Sequence, residues 1–264
     1  DTYNVAIGDL AGLAVTTGTE NTLLGGLAGT ALTTGIRSVL LGYQAGDALT
    51  EGQENIAVGK SALSADTLGS RATAIGKSAL SSQNFTTATQ NYNVAVGYEA
   101  GKQVTTGIRN ILVGALAGDA LTDADHNVAI GFQALTSDTL GSRAIAIGHN
   151  ALANQNFTTA TDSYNIGIGY SAGDAITTGL VNTLVGGLAG DAITTGNDNT
   201  AFGYNSLTGN TASNRNTAIG SQALATFNVT TDTHTYNTAV GYAAGNAVTT
   251  GTGQTLIGGL AGDA

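Results

Sequence analysis

Apolar residues in this chain come in short groups at a fixed spacing. Asn4-Val5-Ala6-Ile7-Gly8 returns as Asn21-Thr22-Leu23-Leu24-Gly25, as Asn55-Ile56-Ala57-Val58-Gly59 and as Asn199-Thr200-Ala201-Phe202-Gly203. Aligned on the closing glycine, the copies end at Gly8, Gly25, Gly42, Gly59, Gly76, Gly97, Gly114, Gly131, Gly148, Gly169, Gly186, Gly203, Gly220, Gly241 and Gly258. These fifteen anchors lie 17 residues apart except for three gaps of 21. Such a period is the signature of stacked repeat units, each too small to bury its own apolar face alone.

With the anchor glycine as position 0, positions −3 and −1 carry β-branched or aliphatic residues, as in Val94 and Val96 or Ile111 and Val113. Position −2 between them is Ala or Leu in every copy except Gly167. Successive strand side chains point to opposite faces, so a strand with one wet face alternates apolar with polar. This one does not. The pattern predicts a strand with two buried faces, one inside a coil and one against a second layer or another chain. Position +3 is Ala in fourteen copies, with Ser206 the exception, which marks a crowded site. Position +4 is Gly or Leu, in blocks. Thr-Thr-Gly segments such as Thr16-Thr17-Gly18 and Thr177-Thr178-Gly179 predict a second strand followed by a glycine turn. The expected fold is all-β: a parallel β-solenoid of about fifteen coils of 17 or 21 residues. A helical reading fails because glycine falls inside every candidate segment, at about 1 kcal/mol each relative to Ala.

A longer period overlies the first. Leu68-Gly69-Ser70-Arg71 recurs as Leu140-Gly141-Ser142-Arg143, and Asn84-Phe85-Thr86 as Asn156-Phe157-Thr158, both 72 residues on. Three coils of 17 and one of 21 make this super-repeat; in its third copy the phenylalanine is Phe227, two residues earlier. The 21-residue coils are expected to bulge. Each carries a Phe and a Tyr, and the pairs Phe85 and Tyr92, Phe157 and Tyr164, and Phe227 and Tyr236 form a candidate recognition bulge. The chain opens on Asp1 at the exit of a long coil and stops in mid-coil at Ala264. Residues 1–264 therefore read as one continuous repeat array, a window from a longer fibre.

Composition narrows the function classes. A formal net charge of −10 argues against nucleic-acid and anionic-membrane partners. No apolar run approaches the length of a membrane-spanning helix. A hydrophobic content of 42% with 39 glycines and no proline excludes disordered and collagen-like chains.

No catalytic constellation or cofactor site is apparent. His126, His149 and His234 fall at different offsets and do not form a row. Asp123 and Asp125, beside His126, replace a Thr-Thr-Gly turn, and a polar turn accounts for them. Asp recurs at +5, and Asp174 with Asp191 falls on adjacent coils about 5 Å apart. That pair is a candidate cation row, the alternative being two carboxylates splayed into water. Asn84, Asn156 and Asn228 open N-glycosylation sequons, one per super-repeat, where Asn and Thr could equally serve the turn.

The run Asn237-Thr238-Ala239-Val240-Gly241-Tyr242-Ala243-Ala244-Gly245, nearly repeated from Asn93 to Gly101, resembles the head repeats of trimeric autotransporter adhesins, the YadA-like head. It is more similar still to the 17-residue form found in phage tail-fibre and large bacterial surface proteins. The resemblance covers essentially the whole chain. It implies a left-handed β-roll, three chains side by side, and an extracellular fibre held away from a cell or virion surface; it supplies no catalytic residues. The expected function is thus structural: a non-enzymatic fibre segment that spaces or displays an adhesive surface, with other copies of itself as partners and a cell-surface glycan or host receptor as a further one. A carbohydrate-binding tail-fibre module and an ice-binding solenoid, suggested by the Thr-Thr pairs, are the alternatives.

Overall fold

The computed structural model describes residues 2–263, and every regular element among them is a β-strand. Two compact units divide the chain, residues 1–127 and residues 128–264. Both are parallel β-solenoids. The first holds seven anchor glycines and the second eight.

In the first unit the main sheet is built from β1 (Val5–Ile7), β2 (Thr22–Leu24), β3 (Val39–Leu41), β4 (Ile56–Val58), β6 (Thr73–Ile75), β8 (Val94–Val96) and β9 (Ile111–Val113). A second two-stranded sheet pairs β5 (Gly69–Ser70) with β7 (Thr89–Gln90). In the second unit the main sheet runs through β10 (Val128–Ile130), β12 (Ile145–Ile147), β14 (Ile166–Ile168), β15 (Thr183–Val185), β16 (Thr200–Phe202), β17 (Thr217–Ile219), β18 (Thr238–Val240) and β19 (Thr255–Ile257). There β11 (Gly141–Ser142) pairs with β13 (Thr161–Asp162). Every main-sheet pairing is parallel and in strict register, so each side chain stacks on its counterpart one coil away.

The second strand predicted for every coil is absent from most of them. Thr-Thr forms a bend, and a second strand appears only beside a 21-residue coil, with a single bridge between Asn214 and His234 in the third copy. The bend still joins coil to coil: Thr33 N–H donates to the Thr50 carbonyl at 2.9 Å, and Thr177 N–H to that of Thr194 at 2.9 Å.

The corners are also not made chiefly by glycine. Positions −5, +2 and, where it is Leu, +4 all adopt left-handed backbone, giving 35 non-glycine residues at φ from 49° to 66°. Such a conformation costs an L-residue about 1–2 kcal/mol and survives only where its surroundings impose it. Here each corner hydrogen-bonds to its neighbours: Arg37 N–H donates to the Thr19 carbonyl at 3.0 Å and Leu27 N–H to that of Asp9 at 2.8 Å. The anchor glycine is different. Gly97 has φ +144°, outside the range of side-chain-bearing residues, and an added Cβ would lie 2.4 Å from the Gly114 carbonyl oxygen.

Only position −2 of each strand points into the coil: Leu23, Leu40, Ala57, Ala95 and Leu112 are fully buried in the first unit. Three interior positions share the space. Around Gly42 they are Leu40, Gly46 and Leu49; around Gly59 they are Ala57, Leu63 and Asp66. A Cβ on Gly46 would meet Leu40 Cδ2 at 2.8 Å and Leu49 Cδ1 at 2.9 Å, so leucine at −2 and +7 demands glycine at +4. The second unit repeats the choice with Leu184, Gly190 and Ile193 against Ala201, Leu207 and Asn210. No coil has Leu at both −2 and +4.

Beside the strand runs a buried amide ladder at position −4. Asn182 Oδ1 accepts from the N–H of Asn199 at 3.1 Å, and Asn182 Nδ2 donates to the Gly196 carbonyl at 2.8 Å. Asn21, Asn55, Asn93 and Asn110 do the same in the first unit. This side chain satisfies backbone groups that the corner takes away from the sheet.

Candidate binding surface

The outward face of the main sheets carries positions −3 and −1. Val39 is 38% exposed, Ile56 39%, Ile75 37% and Ile111 42% in the first unit, with Phe202 at 55% in the second. Each unit thus presents outward an apolar row at −1 and, beside it, a β-branched row at −3 in which Val and Ile give way to Thr at Thr22, Thr73, Thr183, Thr200, Thr217, Thr238 and Thr255. Of the two faces predicted to be buried, one lies inside the coil and the other is uncovered.

Two further outward rows flank this face. At +1, Tyr43 lies with Lys60 Nζ 6.0 Å from its ring centre and Tyr98 with Lys77 Nζ at 5.2 Å. In the second unit the first three members of the row, Phe132, His149 and Tyr170, stack with successive centroids 5.4 Å apart.

The row at −5 holds all five arginines of the chain. Left-handed backbone turns these side chains out of the corner, and the coil spacing brings each onto the next. Arg37 Nε lies 3.2 Å from Glu20 and its Nη1 3.7 Å from Glu54. Arg71 Nε lies 2.9 Å from the same Glu54 and its Nη1 donates to Tyr92 Oη at 2.6 Å. Glu54 is therefore held between two guanidiniums. In the second unit Arg143 pairs with Asp162 at 2.9 Å, and Arg215 with Asp198 at 3.4 Å. The sequence reading missed this row. The succession Glu20, Arg37, Glu54, Arg71, Tyr92, Arg109 at one offset was the signal.

The expected recognition bulge is corrected in one half. Tyr92, Tyr164 and Tyr236 are exposed, each beside the arginine of the preceding coil, with ring centre to Cζ distances of 5.5, 5.8 and 5.7 Å. Phe85, Phe157 and Phe227 are buried at 6%, 6% and 0% exposure. Their rings fill the wider interior that four extra residues create, and they are not available to a partner.

Of the candidate cation pair, Asp174 feels its neighbour. Burial, followed by the neighbouring Asp191, pushes the Asp174 carboxyl above the usual carboxylate range, against an opposing pull from His149. Neutral donors serve both: Asn154 Nδ2 reaches Asp174 Oδ1 at 3.3 Å, and Thr208 Oγ1 donates to Asp191. Among the described residues no group of three or more His, Cys, Asp or Glu is placed to hold a metal ion. His126 contacts Arg109, and His234 lies beside Asn214 and Tyr236. Asp123 and Asp125 accept hydrogen bonds from Thr106 Oγ1 and Ile108 N–H, both at 2.7 Å, as a polar turn requires.

The sequon asparagines close a hydroxyl ladder. At position +8, Thr33 Oγ1 donates to the Thr50 carbonyl and Thr50 Oγ1 to that of Thr67. Thr67 Oγ1 then donates to Asn84 Oδ1 at 3.0 Å; Thr139 does so to Asn156 at 3.1 Å and Thr211 to Asn228 at 3.0 Å. These threonine protons are spent within the fold.

Comparisons with protein-family models, with curated proteins and with solved structures gave no match.

Proposed function

We propose that this chain is a spacer segment of an extracellular fibre that associates with further copies of itself through the outward face of its sheets. The observation carrying this reading is the outward row at −1, which is Ile, Leu, Val or Phe in every coil of each unit, with β-branched residues beside it at −3. Contiguous apolar surface rimmed by charged and aromatic residues marks an association site. Two-faced apolar strands are what a shared core between chains requires, since stacking copies side by side covers the second face. Strict register supports it as well, because an identical neighbour then presents the same residues layer by layer. The resemblance to YadA-like head repeats favours three chains and a surface location, with adhesion as the role of the whole fibre.

We read the role as structural because the repeat runs through the chain with no interruption longer than the four extra residues of a 21-residue coil. Negative-stain micrographs of the purified protein test it. Straight rods thicker than one coil support lateral association, and isolated thin single-chain particles contradict it.

A further inference from the structure

The ion-pair row at −5 is complete in one place and lacks a member in another. In the first unit Glu54 sits between Arg37 at 3.7 Å on one side and Arg71 at 2.9 Å on the other. Asp198 occupies the equivalent place in the third super-repeat and has Arg215 at 3.4 Å on one side only. On its other side the row carries Val181. The missing guanidinium leaves a cavity of about 340 Å³ with Leu180 and Val181 as its floor. Asn197, Asn214, Asp198, Asp232 and His234 line the rest. The equivalent cavity in the first unit is about 180 Å³ and has Arg71 itself in its wall. Pockets that hold a ligand run from roughly 300 Å³ upward, apolar with a few placed polar groups. The third-copy cleft meets that description and the first does not.

The lining selects the ligand. Two carboxylates and no lysine or arginine face the cleft, so a phosphate, sulfate or carboxylate is disfavoured. The Asp232 carboxylate is met by the Asn214 amide at 2.6 Å and by no cation among the described ion pairs. The floor is apolar, which suits an alkyl stem. A net charge of −10 attracts cations at long range. We propose that this cleft binds an arginine side chain of a partner protein, the stem lying on Leu180 and Val181 and the guanidinium meeting Asp198 from the side opposite Arg215, in the place that Arg37 takes beside Glu54. The chain supplies the template, since Arg37 already occupies that rung beside Glu54. Arg215 remains on the far face of Asp198, as Arg71 does for Glu54. The proposal does not depend on the fibre reading, because the −5 row is separate from the apolar face at −3 and −1.

The test is an NMR titration of the chain with N-acetyl-L-arginine amide, using the neutral isostere N-acetyl-L-citrulline amide as control. Saturable shifts of the Val181 methyls and of the Asn197 and Asn214 side-chain amides are expected, with a dissociation constant in the millimolar range. Citrulline should bind more weakly by about fivefold, the upper end for one exposed ion pair. Asp198→Asn should weaken arginine to the level of citrulline, and Val181→Arg should abolish binding by filling the cleft from within. Unchanged thermal melting of both variants shows that the fold is kept. Equal binding of arginine and citrulline, no saturable shift with either, or full arginine binding by Val181→Arg would each overturn the proposal. So would saturable binding of N-acetylglucosamine at the same residues in the absence of any arginine effect.

Discussion

Gln83 donates its side-chain amide to the buried carboxylate of Asp66 at 2.6 Å and accepts from Asn93 Nδ2 at 2.8 Å on its other end. The three form a chain of fixed polarity: Asn gives, Gln relays, Asp receives. Asp66 also accepts from the N–H groups of Gly69 and Phe85, both at 3.0 Å. The second super-repeat repeats the chain as Asp138, Gln155 and Asn165. The third has Asn210 and Phe227 in the first two places. An Asn in place of Asp presents N–H₂ to a glutamine that is already donating, so the partner has to change too, and there it is an apolar ring.

Asp66→Asn alone is therefore expected to cost about 2 kcal/mol, from one buried hydrogen bond reversed into a donor–donor contact. Adding Gln83→Phe should not restore stability unless Phe85 is reduced as well, since the third copy has Val229 at that place. The triple change to Asn, Phe and Val should recover most of the loss. Urea denaturation of the single and triple variants measures this.

Burial also sets a pH dependence. Desolvation raises the Asp66 and Asp138 carboxyls above the ordinary range, against hydrogen bonds from Gln83 and Gln155 that lower them. The native state then holds these protons more tightly than the unfolded chain. Their contribution to stability is fully present below the unfolded value near pH 3.9 and is lost as pH rises through the higher folded values. Melting temperature measured from pH 7 downward should fall less steeply, or rise, relative to the Asp66→Asn, Asp138→Asn double variant. Parallel profiles for the two proteins would remove the assignment.

Glycines at two positions should respond differently to the same change. At Gly97, φ +144° and a backbone carbonyl 2.4 Å from the new Cβ leave nothing able to yield. At Gly101, φ is +58° and the nearest atom is Leu112 Cδ1 at 2.6 Å, the end of a side chain. Gly97→Ala is expected to cost more than about 3 kcal/mol and Gly101→Ala about 1–2 kcal/mol. Chemical denaturation gives the order, and a smaller loss at Gly97 would contradict this account of the anchor.

Interior volume is traded between positions within a coil. Ala57→Leu places a second leucine beside Leu63 and should cost about 1–3 kcal/mol by overpacking. Combining it with Leu63→Gly reproduces the −2 and +4 residues of the neighbouring coil, Leu40 and Gly46, and should return part of that cost. A double-mutant cycle with no favourable coupling would show that the two sites do not share space.

Much of this architecture was legible in the residues. The period gave the coils, the anchor glycine gave the place where strands end, and the super-repeat gave the long coils. What failed did so for identifiable reasons. Thr-Thr has strand propensity, but a coil with only a few residues per side must bend there, and the hydroxyls prefer neighbouring carbonyls. Phe85 and Phe157 looked like surface residues on an insertion because the added interior of a longer coil is not visible in a linear pattern. Left-handed backbone at Leu10, Arg37 or Leu80 carries no residue-type signal at all; stacking imposes it. The −5 row was visible as arginines at one offset, yet its meaning required the in-register stacking that puts Arg37 and Arg71 on either side of Glu54.

The apolar outward face carries the main functional claim, and its most direct test is the mass of the chain in solution. Sedimentation equilibrium at micromolar concentration should give a multiple of the chain mass. Ile75→Asp with Ile111→Asp, on exposed outward positions that leave the interior untouched, should shift that mass toward the monomer without unfolding the protein. A unaltered chain that remains a monodisperse monomer across the concentration range would contradict the account.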